Sequence, residues 1–378
     1  MYSEAIAMRI LVTGSTGFVG GAVVAQLLKD GFGPSLLLLV RARTTGDGLA
    51  RVRAAMDRFR VPPVHRLTLT EANIVCGDLA QPVSFEDDAL MRRVTHVVHA
   101  GAIASFSPHP QLESVNVAGT LALARAVAAS PVLERFVHVG TAMACGDEWA
   151  GVAGVVGESH ELARAEHQLV PYTASKAEAE RRLRREWPGL PLVIARPSIV
   201  VGHTRLGCEP SGSIFWMFRM VQLLGAFTCA LDDRLDVVPV DFCADALIDL
   251  AFLPHLRHDL YHVSAGAASA RTVGEIEAAL AKARGVPPLG ERFRRIGEQD
   301  IERLTPALAH QLGHGNGRLM AKALRRYGAF AALDYVFDNR RLLDEGVRAP
   351  TPVTDYLEVC VRSSEATPVA EQMAWDFK

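Results

Sequence analysis

Through roughly its first two hundred residues the chain alternates short, uninterrupted apolar runs with longer stretches in which apolar positions recur at helical spacing. The runs lie at 9–13, 35–40, 73–76, 96–99, 136–139 and 192–195. They lack the apolar-polar alternation of a strand with one wet face, so they predict strands buried on both sides. The helical pattern occupies 19–29, 49–59, 112–129 and 172–187. Strand then helix, repeated, is the mark of βαβ units and predicts an α/β fold, a doubly wound parallel sheet with helices on both faces.

After Pro197 the rhythm changes. A glycine-rich loop at 202–212 leads into 214–231, a stretch that is apolar apart from a few positions such as Arg219 and Gln222 and carries Phe215, Trp216, Phe218 and Phe227. Beyond it the pattern predicts an extended segment at 235–240, a helix at 242–252 and a late strand at 261–263 returning to the main sheet. Charged helices follow at 272–284 and 298–327, then closing segments at 330–343 and 352–362, with the residues after Ser363 expected to fray. This divides the chain into a nucleotide-binding domain at 1–200, joined by late sheet elements from about 235–265, and a smaller, mostly helical substrate region at 201–234 and 266–378. The apolar stretch sits at the lower length limit for a membrane span, and a central arginine there is costly. Three readings of it stay open: buried core or dimer surface, wall of an apolar substrate cavity, and membrane contact.

Charge narrows the choice of partners. With 40 basic and 42 acidic residues among 378 the formal charge is −2, which gives no global attraction to nucleic acid or an anionic membrane. Any anionic ligand must therefore be held locally. The six cysteines are scattered with no Cys-x-x-Cys pair, so neither a zinc knot nor a disulfide framework is signalled and a reducing cytoplasm fits best. The first eight residues lack the basic region and long apolar stretch of an export signal, and no export is expected. His310 and His314 stand four apart without a third ligand, so no metal is predicted. Asp232, Asp233 and Asp236 read as a solvated turn, and Glu178 and Glu180 among Arg181, Arg182, Arg184 and Arg185 read as an exposed helical face.

Chemistry enters at the first strand-to-helix turn, Gly14-Ser-Thr16-Gly17-Phe18-Val19-Gly20. Glycines there allow a tight turn and close approach of backbone N–H groups to a pyrophosphate, whose charge the helix N-terminus favours. The sheet is thus predicted to be Rossmann-type, and Gly-x-x-Gly-x-x-Gly spacing points towards short-chain dehydrogenases. At the end of the second strand, where an acidic residue would take a ribose 2′-hydroxyl, stand Arg41 and Arg43. Guanidinium forks suit a 2′-phosphate, so NADPH is predicted over NADH. Asp78 follows the third strand, placed for an adenine amino group, and Ala100-Gly101-Ala102 follows the fourth, letting backbone approach the ribose. Tyr172 and Lys176, four apart on a predicted helix, share one face, where the ammonium can stabilise a phenolate and permit proton exchange. Thr141 lies just past the fifth strand, at the carboxyl edge where doubly wound folds place ligands. The group reads as a hydride-transfer site.

With these residues assembled, the chain resembles the extended short-chain dehydrogenase/reductases. More narrowly, it is similar to the branch holding fatty acyl-CoA reductases and the thioester reductase domains of carboxylic acid reductases and nonribosomal peptide synthetases. The narrower likeness rests on Leu39-Val-Arg-Ala-Arg43 with Arg51 and Arg53 behind it, Cys76-Gly-Asp-Leu-Ala-Gln-Pro82, His99-Ala-Gly-Ala102 and Asn116-Val-Ala-Gly-Thr120. It rests also on Val139-Gly-Thr-Ala142, Arg196-Pro-Ser-Ile-Val-Val-Gly202 and Pro239-Val-Asp-Phe-Cys-Ala-Asp-Ala246, with a fainter echo in Leu333-Asp-Tyr-Val-Phe-Asp338. The resemblance implies NADPH along Gly14, Thr16, Gly17, Phe18, Val19 and Gly20, then Arg41, Arg43, Asp78 and Leu79. It extends that contact to Ala100, Gly101, Ala102, Lys176, Pro197 and Ser198.

The same resemblance implies reduction of an acyl thioester to an aldehyde, and onward to an alcohol if a second hydride follows. Tyr172 and Thr141 would meet the oxyanion, and Lys176 would hold the nicotinamide ribose. Asn116 matches the family's motif asparagine, with backbone bonding and proton relay both open. No adenylation domain, carrier domain or membrane anchor is read in the chain, so the thioester is expected from coenzyme A or a separate acyl carrier protein. Homodimerisation through the helices around Leu112 and Tyr172 is implied by the family alone. Two other classes remain: an enzyme of the same superfamily acting on a free carbonyl or alcohol, such as a ketone reductase or nucleotide-sugar epimerase, and a non-catalytic NADPH-binding partner protein. The apolar stretch argues against a sugar, and intact Tyr172, Lys176 and Thr141 argue against a mere binding module.

Overall fold

A computed structural model describes residues 8–149, 154–304, 306, 308 and 314–376. Seven parallel strands form the central sheet: β1 (Ile10–Thr13), β2 (Leu36–Val40), β3 (Ile74–Cys76), β4 (His96–His99), β5 (Arg135–Val139), β6 (Leu192–Pro197) and β7 (Leu260–Val263). Their order is β7-β6-β5-β4-β1-β2-β3, so the chain runs outward one way from β1 through β2 and returns on its other side with β4. Ile10 registers with both Leu36 and His96, and a ligand crevice opens where the order reverses. The uninterrupted apolar runs are explained by the pleat. Ile10 and Val12 enter one core with Leu36 and Leu38, while Leu11 enters the opposite core with Leu37 and Leu39.

Helices cover both faces as the alternation predicts. On one side α1 (Phe18–Lys29) packs against a helix formed late in the chain, α6 (Val240–Phe252). On the other lie α3 (Gly119–Ala128) and α4 (Pro171–Glu186), whose Leu121, Ala179 and Leu183 join the second core. Between β2 and β3, α2 (Thr45–Arg58) starts at a Thr44 cap whose side chain accepts from the Asp47 N–H. The helix predicted at 112–129 is entered through a π-helical turn, Glu113–Ala118, a local widening that recurs at functional sites. The late strand at 261–263 does return to the main sheet, as β7.

The apolar stretch is not one continuous segment. It forms α5 (Phe215–Leu224), ended by Gly225 in the left-handed region at φ 60°, and continues as Ala226–Phe227, a strand paired with Arg294–Arg295. Trp216 is fully buried, and no helix among the described residues is long and apolar enough to cross a membrane. Of the charged region, α7 (Val273–Ala283) begins at a Thr272–Glu275 capping box, and α8 (His314–Ala331) follows a 3₁₀ turn at Glu298–Leu304. His310 lies outside the described residues. Helix α9 is Val353–Ser364.

Two expectations fail here. The residues after Ser363 do not all fray: Val369–Asp376 is helical, with Met373 packed in the core that holds Trp216 and Met220. Asp236 is not solvated but 1% exposed, its carboxylate accepting from the N–H groups of Ala265 at 2.7 Å and Phe337 at 2.9 Å. A buried carboxylate is tolerable only with such donors, and it ties the chain after β7 to the strand Val336–Phe337.

Candidate active site

A cavity of about 720 Å³ runs from the turn after β1 into the helical second half. Its wall brings together Gly14, Gly17, Phe18, Val19, Gly20 and Arg41 with Ala100, Ala102, Thr141, Tyr172, Lys176, Pro197 and Ser198. These are most of the positions singled out in the sequence. The glycines form a cradle with no room for side chains: a Cβ on Gly20 would lie 2.4 Å from the Gly14 carbonyl oxygen. Gly14, at φ +69°, is fitted as closely, since a Cβ there would lie 2.8 Å from the Ala100 carbonyl oxygen. No side chain caps the N–H groups at the start of α1, which completes a setting that fits a pyrophosphate.

Five anticipated contacts stay off the cavity wall. Arg43 is exposed beyond Arg41, and Thr16 is half-buried, its carbonyl accepting from Arg58 Nη2 at 2.8 Å. Asp78 turns its Oδ1 onto the N–H of Ala80 at 2.9 Å, closing its own loop. Leu79 is buried behind that wall, where Cβ atoms on Gly101 or Gly119 would strike it. Gly101 donates its N–H to Thr13 Oγ1 at 2.9 Å.

Tyr172 and Lys176 project from the first turns of α4. Lys176 Nζ donates to the Val139 carbonyl of β5 at 2.7 Å, fixing α4 to the strand that leads to Thr141. Thr141 Oγ1 accepts from the Met143 N–H at 3.3 Å, which leaves its own proton free for the cavity. Burial dominates the electrostatics. It pushes the Tyr172 phenol up to about 12 and the Lys176 ammonium down to about 8. The spacing argument anticipated a phenol lowered by its neighbouring cation. The shift runs the other way, because loss of water around the ring penalises the phenolate.

A chain of hydrogen bonds holds this arrangement. Thr13 Oγ1 meets His99 Nδ1 at 2.7 Å, His99 Nε2 meets Thr120 Oγ1 at 2.8 Å, and Thr120 donates to the Asn116 carbonyl at 2.7 Å. Since Thr120 has one proton and gives it to Asn116, His99 carries its proton on Nε2 and accepts from Thr13 at Nδ1. Burial lowers His99 to about 3, so the ring is neutral. Asn116 takes the Ile103 N–H at 2.8 Å and donates Nδ2 to the Ile103 carbonyl at 3.0 Å and to Ser175 Oγ at 2.9 Å. Its side chain thus bonds the Ile103 backbone and Ser175 Oγ of α4.

Two features were missed in the sequence. Phe106, in the loop after β4, places its ring 6.2 Å from Tyr172, 4.7 Å from Tyr327 and 5.1 Å from Phe330, so an aromatic wall joins the Tyr172 ring to α8. Glu180, read as part of an exposed face, is instead 1% exposed and paired with the 2% exposed Arg196 of β6. Two bonds of 3.0 and 2.6 Å join them, and Arg196 Nη1 also donates to the Ser159 carbonyl at 2.8 Å. The helical spacing of Glu180 with Lys176 and Leu183 was the available signal, since that stripe faces the sheet.

A seven-stranded parallel sheet, a glycine cradle at its switch point and a Tyr-x-x-x-Lys helix beside a strand-end threonine define an oxidoreductase of the extended short-chain dehydrogenase/reductase class, built for a nicotinamide cofactor. Within that class the chain belongs to the NAD-binding family described as Male sterility protein, whose model matches residues 12–247. It is 27% identical over 273 residues to the non-canonical nonribosomal peptide synthetase FrzA of Cladobotryum sp, covering 68% of this chain and 26% of that one. It is 26% identical over 288 residues to the fatty acyl-CoA reductase wat of Drosophila melanogaster, covering 64% and 54%. The chain therefore spans about a quarter of the first relative and about half of the second. Among solved structures, the terminal R domain from the myxalamid PKS-NRPS biosynthetic pathway superposes with a TM-score of 0.74 at 20% identity, covering 96% of this chain and 91% of that one.

Proposed function

We propose that this protein is an NADPH-dependent reductase of acyl thioesters, releasing an aldehyde and a thiol. The observation that carries the reading is the continuity of the cavity. It passes without interruption from the glycine cradle, across Thr141 and Tyr172, to an apolar wall that includes Met217, Phe218, Val221, Phe227 and Leu280. An acyl chain on that wall places its carbonyl at the two hydroxyls. Similarity to a fatty acyl-CoA reductase and to a nonribosomal peptide synthetase supports the thioester as substrate. Residues 1–200 with about 235–265 would serve the cofactor, and 201–234 with 266–378 the acyl group.

Gly14, Gly17 and Gly20 would hold the pyrophosphate, and Lys176, with N–H groups beyond the one given to Val139, the nicotinamide ribose. When bound, the reduced nicotinamide supplies a hydride for the acyl carbon. Tyr172 and Thr141 donate hydrogen bonds to the carbonyl oxygen as charge builds there. Collapse of the resulting hemithioacetal breaks the C–S bond, the thiol leaves, and the aldehyde remains against the apolar wall. With NADPH and a panel of acyl-CoAs, cofactor oxidation matched by an equal release of thiol is the expected result. Oxidation only with aldehydes or ketones assigns the site to free carbonyls, and tight NADPH binding without turnover on any carbonyl assigns it to a binding protein.

Arg41, exposed at the rim of the cavity, would take the 2′-phosphate, with Arg43 second. The double change Arg41→Ala/Arg43→Ala is expected to cut the NADPH-over-NADH preference in kcat/KM by about tenfold or more, the worth of one or two charge-assisted forks. An unchanged ratio refutes the assignment.

A further inference from the structure

The hydrogen bonds behind the cavity wall form a directed path from the cofactor side to the helix that carries Tyr172. It begins at the N–H of Gly101, which stands between the cavity-lining Ala100 and Ala102, and passes to Thr13 Oγ1 at 2.9 Å. Thr13 donates to His99 at 2.7 Å, His99 to Thr120 at 2.8 Å, and Thr120 to the Asn116 carbonyl at 2.7 Å. Asn116 carries the path across to α4. Its Nδ2 donates to Ser175 Oγ at 2.9 Å, and Ser175 Oγ donates to the Tyr172 carbonyl at 2.7 Å. Each stretch starts at an N–H, which only donates, and ends at a carbonyl, which only accepts. The direction of every bond is thereby fixed, and the hydroxyls of Thr13, Thr120 and Ser175 each accept one bond and donate one. Bonds aligned head to tail polarise and strengthen one another.

The ends of the path give it a role. Thr13 immediately precedes Gly14 of the glycine cradle, and the last acceptor is the backbone of Tyr172 itself. Thr13, His99, Asn116, Thr120 and Ser175 are at most 7% exposed, and none of them lines the cavity, so they touch neither cofactor nor substrate. The first turns of α4 are also held by the bond from Lys176 to the Val139 carbonyl, but that hold ends on β5. The path reaches β1, where the cradle begins, and it runs through the π-helical turn at Glu113–Ala118 that carries Asn116.

We infer that Thr120 is a positioning residue for hydride transfer, with His99 before it and Ser175 after it in the same path. The path sets where the Tyr172 backbone stands relative to the glycine cradle, and so how the phenol meets the carbonyl that receives the hydride. The inference rests on Tyr172 as the donor at that carbonyl, and its test separates the two.

Thr120→Val keeps the shape of the side chain and removes its hydroxyl. It is expected to lower kcat for acyl-CoA reduction about tenfold, since a misplacement of about 1 Å at reacting groups costs about a hundredfold. NADPH Kd is expected to stay within about twofold, and Thr120→Ser, which restores the hydroxyl, to return kcat to within about twofold of the unaltered protein. Ser175→Ala cuts the path at its other end and is expected to lower kcat about threefold or more, so the result does not depend on one variant folding. The decisive measurement adds Thr120→Val to Tyr172→Phe. With the phenol oxygen gone there is nothing left to position, and the further loss in kcat is expected to be under about twofold. A residue that only braced the fold would cost the same factor in both backgrounds. Where the protein turns over only aldehydes or ketones, the same ratios are read with them, and the positioning role stands while the thioester reading falls. Unchanged kcat in both Thr120→Val and Ser175→Ala overturns the inference, and so does a loss confined to NADPH Kd or one that Thr120→Ser fails to restore. A large loss in Tyr172→Phe beside an equal Thr120→Val factor in both backgrounds keeps the phenol and removes the path. Unchanged kcat in Tyr172→Phe alone, or no turnover of any carbonyl, removes both.

Discussion

Replacing Tyr172 by phenylalanine is expected to lower kcat for acyl-CoA reduction about a thousandfold while leaving NADPH affinity within a factor of about two. The rate loss is the range for removing a single oxyanion donor that is also a proton donor. The substitution deletes one oxygen and keeps the ring that lies 6.2 Å from Phe106, so the aromatic wall has no reason to move. Lys176 keeps its bond to the Val139 carbonyl, which does not pass through the phenol. The pH profile follows from the same site. With the phenol held near 12 by burial, Tyr172 stays protonated from pH 6 to 9, and a fall in kcat/KM within that window is expected to follow Lys176, whose ammonium burial brings down to about 8. Stopped-flow cofactor oxidation reads the rate, and nicotinamide fluorescence reads the binding. An unchanged kcat in the variant would remove Tyr172 from the chemistry altogether.

What the sequence disclosed was local. The six early strands were legible because each is an apolar run feeding two cores at once, and the glycine cradle because its three glycines fall within one turn. Tyr172, Lys176 and Thr141 could be grouped because doubly wound folds collect strand ends on one edge. The protonation of Tyr172 was not legible in the same way. Spacing shows that an ammonium is near but not how far both groups are removed from water, and burial reverses the expected direction. Partners distant in sequence were equally hidden. Phe106 lies in a loop without periodicity and meets Tyr327 and Phe330 only when α8 folds back over the cavity. Asp236 looked like a member of an acidic turn because its backbone donors, Ala265 and Phe337, arrive from segments far along the chain.

Glu180 shows the same limit, and a stability experiment tests it. Glu180→Leu is expected to destabilise the protein by about 3–5 kcal/mol, because it leaves the Arg196 guanidinium buried with only the Ser159 carbonyl to accept from it. That is a large part of the roughly 5–15 kcal/mol that holds a typical domain together. Arg196→Met alone should cost a comparable amount by stranding the carboxylate. The double variant Glu180→Leu/Arg196→Met removes both charges at once and is expected to recover most of the loss, since an apolar pair of similar volume needs no desolvation. Urea midpoints at unchanged slope measure all four corners of the cycle. The site responds to the same pair. Arg196 is in β6, one residue before Pro197 on the cavity wall, and Glu180 is one turn beyond Lys176 on α4, so the bidentate contact sets the height of α4 over the sheet. If the pair positions Tyr172, the double variant will be nearly as stable as the parent protein yet slower in kcat, with KM for NADPH little changed. Equal kcat would confine Glu180 and Arg196 to the fold, and a mild single-variant loss would mean that water reaches the pair.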